Sequence, residues 1–213
     1  KNYTLTAEAY KTYSGDAIDI SGGSITISDS TNFPGQLKVV QGGSVIADNI
    51  DPSKAITITG TSTETNNYHV TVNAAQGATI IFDNLSIRVS GDRNMSAMDI
   101  TNTAGNVTLI LKNANTLYAN STNNMNWAVG SAALLKTGDN VLTIRSIDGT
   151  VDHSLTATAA GVCGAGIGNY YSAGVEVKNI IIESGTVTAT GQGSGMGVFG
   201  GTTKGLSIKG GNV

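Results

Sequence analysis

Ile18-Asp19-Ile20-Ser21-Gly22-Gly23-Ser24-Ile25 sets a phrase that the chain repeats: apolar, any, apolar, any, Gly or Ser, Gly, small polar, apolar. It returns as Lys38-Val39-Val40-Gln41-Gly42-Gly43-Ser44-Val45, as Ile180-Ile181-Ile182-Glu183-Ser184-Gly185-Thr186-Val187 and as Leu206-Ser207-Ile208-Lys209-Gly210-Gly211-Asn212-Val213. Each copy reads as a strand, a glycine corner and a second strand, with no helix between. A unit of this kind cannot bury its own apolar face, whereas stacked copies can. The expectation is an all-β chain: a right-handed, single-stranded parallel β-helix, a solenoid of irregular turn lengths, with residues 1–213 forming one domain.

Working outward, alternation of apolar and small polar residues is general, as in Ile56-Thr57-Ile58, Val70-Thr71-Val72, Val107-Thr108-Leu109 and Leu142-Thr143-Ile144, and no segment carries a helical period. The run from Ile80 to Ile87 parallels that from Leu109 to Leu117, each with an asparagine (Asn84, Asn113) just after its apolar residues. Asparagine suits a left-handed corner there. The glycine phrases recur every 20 to 33 residues, which predicts about eight or nine turns at ~4.8 Å each, a rod ~40 Å long. On this reading Ile20, Val40, Ile182 and Ile208 hold equivalent inward places. Gly23, Gly43, Gly185 and Gly211 turn corners at positive φ. The last phrase stops at Val213, where earlier copies run on into a strand, so the chain is expected to be a fragment of a longer surface protein.

Composition narrows the function classes. Charged residues make up 13%, Gly counts 28, and the net charge is −3 without a basic run. Phosphate backbones require a concentrated positive face, so no nucleic-acid partner is expected. No apolar stretch approaches membrane-spanning length. Cys163 is the only cysteine and can form no intrachain disulfide.

Chemistry-bearing motifs are sparse. Gly195-Met196-Gly197-Val198-Phe199-Gly200 has the glycine spacing of a dinucleotide fingerprint but is followed by another β phrase rather than a helix, so nucleotide binding is rejected. Gly164-Ala165-Gly166-Ile167-Gly168 reads as the same structural element 31 residues earlier. His69 and His153 lie far apart in sequence without metal-ligand spacing. Asp148 and Asp152, in Asp148-Gly149-Thr150-Val151-Asp152, could present two acids to Ca²⁺, or serve simply as turn residues. Aromatic residues beside Asn and Ser side chains offer stacking and hydrogen bonding to a sugar. On that ground Trp127 and Tyr118, flanking a polar Asn/Ser/Thr loop, and the pair Tyr170-Tyr171 are the carbohydrate-binding candidates.

Two blocks carry a family resemblance: Ala55 to Leu117, with Asp83-Asn84-Leu85-Ser86-Ile87 and Asn106-Val107-Thr108-Leu109, and Gly164-Ala165-Gly166-Ile167-Gly168 followed by Ile180 to Gly191. Together they resemble the β-helical repeats of large bacterial surface proteins. They are also similar to a carbohydrate-binding parallel β-helix family whose members bind acidic plant polysaccharide with calcium. The resemblance implies an extracellular, secreted protein at the bacterial surface and a polysaccharide or cell-surface glycan as partner. A non-catalytic adhesin or carbohydrate-binding module ranks first, a passive stalk displaying other domains second, and a polysaccharide lyase or glycoside hydrolase third. No cofactor is required by this reading, with calcium an open option.

Overall fold

The structure is a computed structural model and describes residues 11–91, 95–101, 103–122, 130–161, 163–170, 175–198 and 202–213. The first strands are β1 (Ile18–Asp19), β2 (Ile25–Asp29), β3 (Leu37–Gln41), β4 (Ser44–Ile50), β5 (Ala55–Ser62) and β6 (Val70–Asn73). The middle of the chain forms β7 (Ala78–Gly91), β8 (Met95–Asp99), β9 (Val107–Lys112), β10 (Ala114–Ser121), β11 (Ser131–Leu135) and β12 (Leu142–Ser146). The last are β13 (Ser154–Ala159), β14 (Ala165–Asn169), β15 (Glu176–Ile182), β16 (Thr186–Gly191), β17 (Ser194–Val198) and β18 (Thr202–Ile208). A single 3-10 turn at Ile20–Gly22 is the helical element among the described residues.

These strands divide between two sheets. The first is parallel and ten-stranded, in the order β16-β13-β10-β7-β9-β12-β15-β18, with β5 against β7 and β1 against β5. The second runs β17-β14-β11-β8-β6-β2-β3-β4 and is mixed, because β2–β3 and β3–β4 pair antiparallel. The all-β expectation holds, but the single-stranded parallel β-helix does not: the fold is a curled parallel sheet facing a mixed sheet.

The physical reason lies in the second copy of the repeated phrase. Gly42 and Gly43 have φ of 56° and 84° and form a two-residue loop between β3 and β4. Two positive φ values in succession give the tight turn whose twist matches antiparallel strands. The phrase thus closes a hairpin rather than turning a corner. Its neighbour, the first copy, packs directly on it, with Gln41 Nε2 donating to the Asp19 carbonyl at 2.6 Å. Residues Ile20, Val40, Ile182 and Ile208 are accordingly not equivalent. Ile20 sits in the 3-10 turn, and Val40 is half-buried while Val39 takes the core position. Ile182 and Ile208 are true partners in register. The four glycines expected at positive φ all have it: Gly23 at 134°, Gly43 at 84°, Gly185 at 90° and Gly211 at 81°.

Curling of the first sheet also has an identifiable cause. In the 14-residue β7, Ala78–Asp83 pairs with β9 and Ser86–Gly91 pairs with β10. Between these halves Asn84 has φ of 52°, and Asn113, between β9 and β10, has φ of 61°. Asparagine tolerates this left-handed conformation better than other side chains do, so each strand bends at the same level. Asn115 then secures the bend from inside. Its Oδ1 accepts from Leu85 N at 2.9 Å, and its Nδ2 donates to the carbonyls of Lys112, Asn113 and Ser154.

Inward side chains of both sheets make one aliphatic core. The row Ile56, Ile80, Leu109, Ile144, Ile182, Ile208 runs in register through β5, β7, β9, β12, β15 and β18. All six are sealed except Ile208, which is 52% exposed on the edge strand. Burial at ~25 cal/mol per Å² makes such rows the leading stabilising contribution.

Candidate functional site

Outward positions of β7, β10, β13 and β16 form a regular surface on the parallel sheet. Pairing of β10 with β7, β10 with β13, and β13 with β16 proceeds without a register shift. One column across the strands is therefore Ser86, Thr116, Thr156, Thr188, and Thr61 of β5 extends it beside Ser86. The next column, two residues along, is Arg88, Tyr118, Thr158, Thr190. Strand geometry spaces neighbouring groups by about 4.8 Å across the sheet and about 6.6 Å along it. Thr116, Thr156, Thr158, Thr188 and Thr190 make no side-chain hydrogen bond among the described residues, so their hydroxyls face solvent with donor and acceptor capacity free.

Tyr118 anchors this surface. The Arg88 guanidinium lies 3.9 Å from the centroid of its ring and is held there by Glu64 Oε1 at 2.9 Å. A guanidinium over a tyrosine face is attracted by the ring quadrupole. The three side chains form a stacked, charged cluster at one end of the hydroxyl columns.

A polar network follows the bend of the same sheet. Asp83 accepts from Lys112 Nζ at 2.8 Å and, through Oδ1, from Asn113 Nδ2 at 2.7 Å and Asn84 Nδ2 at 3.2 Å. The Lys112 contact, with help from Asn113 and against a cost of burial, holds the Asp83 carboxyl below its usual range. The Asn113 backbone N–H donates to His153 Nδ1 at 2.9 Å. That bond leaves the ring proton on Nε2, from which it reaches Asp148 Oδ2 at 3.2 Å. Asp148 Oδ1 takes both the N–H and the hydroxyl of Thr150; these bonds, the backbone one foremost, keep its carboxyl low as well.

The mixed sheet presents a different surface. A shallow depression of about 250 Å³ is lined by His69, Thr71, Met95, Ser96 and Asp99. Thr71 of β6 and Asp99 of β8 are Cα partners. Tyr170, directly after β14, is half-buried. Desolvation first, and the negative charge of Asp99 second, raise its phenol above the ordinary value.

The carbohydrate candidates are therefore parted. Tyr118 belongs to the parallel sheet and Tyr170 to the mixed one, while Trp127 and Tyr171 lie outside the described residues. Asp148 and Asp152 share one exposed turn, but Asp148 has both oxygens engaged. Among the described residues no three His, Cys, Asp or Glu side chains converge as a metal site. Nor does any described helix have the length and apolarity to cross a membrane. The Gly164 to Gly168 and Gly195 to Gly197 runs fall on neighbouring, equivalent strands, β14 pairing with β17 through Gly168 and Gly197. A Cβ on Gly168 would meet the Gly197 carbonyl oxygen at 1.9 Å, so these glycines serve close strand approach. Cys163 is buried, and desolvation raises its thiol pKa, the behaviour of a packed rather than a nucleophilic cysteine.

Sequence reasoning missed Arg88 and Glu64, although a signal for Arg88 existed. Aligning the Asn84 and Asn113 phrases places Ser86 on Asn115 and Arg88 on Leu117, one residue short of the pairing of Arg88 with Tyr118 that the strands adopt, so the alignment pointed next to the contact and not at it. His69 and Asp99 lie in no repeated phrase and gave no signal. A scan against protein-family models finds no match, and neither curated proteins nor solved structures give a significant match to the chain.

Proposed function

We propose that this chain is a non-catalytic carbohydrate-binding or adhesin module of an extracellular bacterial surface protein. The observation that carries the proposal is the pair of columns on the parallel sheet, solvent-facing hydroxyls in register with the Tyr118–Arg88–Glu64 cluster at one end. Polysaccharide recognition calls for repeated hydrogen-bonding groups at fixed spacing and a flat aromatic patch. A periodic ligand laid across the strands meets an equivalent group at each step.

Electrostatics favour binding over catalysis. Each described acid whose ionisation is displaced is displaced downward: Asp48, Asp51, Asp83, Asp148 and Glu176, the last to about 2 by Lys178 and Lys204. A glycosidase acid must be held protonated near neutrality, which requires the opposite shift. The imidazole of His153 has both nitrogens occupied, so it is not free to act as a base.

Affinity electrophoresis through gels containing soluble polysaccharides, together with glycan arrays, tests the proposal. Retardation by at least one polysaccharide is expected, weakened several-fold by Tyr118→Ala, without release of reducing or unsaturated sugar. Because both Asp148 oxygens are engaged by Thr150 and His153, a chelator should leave the binding unchanged.

A further inference from the structure

We infer that the depression on the mixed sheet is a second sugar-contacting site, selective for the hydroxyls of a neutral sugar residue; the inference rests on the carbohydrate-binding reading. His69 Nδ1 lies 3.2 Å from the Asn67 carbonyl and 3.3 Å from Ser24 Oγ. Ser24 Oγ also accepts the His69 backbone N–H at 3.2 Å. A carbonyl can only accept; with Nδ1 as its donor, Nε2 is left as an acceptor.

Asp99 is prepared in the same manner. Its Oδ1 takes the Thr101 N–H at 2.8 Å and the Thr101 hydroxyl at 2.7 Å. Oδ2 has no partner among the described residues. The lining of the depression thus includes an imidazole and a carboxylate, each fixed by its own local bonds. The Thr71 and Ser96 hydroxyls, which can donate or accept, stand beside them, and Met95 supplies an apolar wall.

Two fixed acceptors with adjustable hydroxyls select a ligand rich in donors. Vicinal sugar hydroxyls donate to the acceptors and accept from Thr71 and Ser96, while ring carbons lie against Met95. The volume of about 250 Å³ falls just below the range of drug-sized pockets and suits one ring. The Asp99 carboxylate repels an anionic sugar, so a uronate is disfavoured here.

The test is an NMR titration of the full 213-residue chain, with histidine ring labelling, using neutral oligosaccharides (gluco-, manno- and galacto-series) and oligogalacturonate. At least one neutral series should shift the His69 ring resonances. Asp99→Asn should weaken that binding tenfold or more, since it converts the free acceptor to a donor yet preserves the Oδ1 contact with Thr101. The His69 response in the unmodified chain is readable even where the variant folds poorly. Neutral-sugar binding that leaves His69 unmoved and survives Asp99→Asn overturns the inference while the module reading stands. Oligogalacturonate shifting His69 as strongly as the neutral series also overturns it. No binding by any glycan overturns both.

Discussion

The two sheets share one core but treat their outward faces differently. On the parallel sheet β7, β10, β13 and β16 stay in register, and equivalent side chains line up in straight columns. On the mixed sheet the β3–β4 hairpin shifts register at Leu37/Val39 and Val39/Val40, and the surface carries a dip lined by unlike residues. One face is periodic and the other is singular. Under the proposed function, that contrast assigns a polymer to the first and a single ring to the second. It also shows that a glycine phrase alone does not fix strand direction. Two consecutive left-handed residues at Gly42-Gly43 reverse the chain, whereas Gly185, alone at positive φ among Ser184, Gly185 and Thr186, hands β15 on to β16 in the parallel sheet.

The largest expected effect tests the close strand approach within the mixed sheet. Gly168 combines φ of 137° with a Cβ position 1.9 Å from a backbone oxygen, so Gly168→Ala should cost on the order of 4 kcal/mol or prevent folding. Gly149 has φ of 82° with nothing within 4 Å, so Gly149→Ala should cost only about 1 kcal/mol. Urea unfolding of both variants makes the comparison. Equal losses would show that left-handed backbone, and not proximity, governs this sheet.

Lys136 follows β11 in the same sheet and is fully buried, its Nζ donating, among the described residues, only to the carbonyls of Thr137 and Gly138. Burial lowers its pKa to about 8 from 10.5. The folded state therefore disfavours the charged form, and below pH 8 this costs about 3 kcal/mol. Between pH 8 and 10.5 the unfolded chain binds more protons than the folded one, so stability rises with pH. Lys136→Met should be the more stable protein at pH 7, with its advantage fading as pH approaches 10.5. Thermal melts of the two proteins across that range read the difference, and a constant gap would refute the assignment.

In the parallel sheet the corresponding weak point is Asn115. Asn115→Leu leaves the buried Leu85 N–H without its acceptor and removes three donated bonds. A loss of about 2–3 kcal/mol is expected, measurable by denaturant unfolding. A smaller loss than that from Asn113→Ala, whose side chain is exposed, would mean the bend is held from outside.

Much of the parallel sheet was legible in the sequence because its signals are local and repeated. Alternation marked Val107-Thr108-Leu109 and Leu142-Thr143-Ile144 as strands, the repeated phrase put Ile182 and Ile208 in equivalent places, and the asparagines after two matching runs marked the bend. Tyr118 drew notice as a candidate from its polar flank. The hairpin was not legible, since Gly42-Gly43 and Gly22-Gly23 read identically and only the pairing partner distinguishes them. Nor was the mixed-sheet depression, where His69 and Asp99 meet through β6–β8 pairing across residues with no common motif. His153 and Asp83 likewise looked isolated until Asn113 joined them.

The central claim is that the hydroxyl columns bind a periodic polysaccharide. Its most direct test is affinity electrophoresis of the triple variant Thr116→Val, Thr156→Val, Thr188→Val beside the parent chain. Valine preserves the β-branched shape and strand preference while removing only the hydroxyls, so melting temperature serves as the folding control. With each lost hydrogen bond contributing about 0.5–1 kcal/mol, we predict at least a tenfold weakening for the triple variant at unchanged fold. A triple variant that folds and binds every polysaccharide as tightly as the parent would contradict the claim.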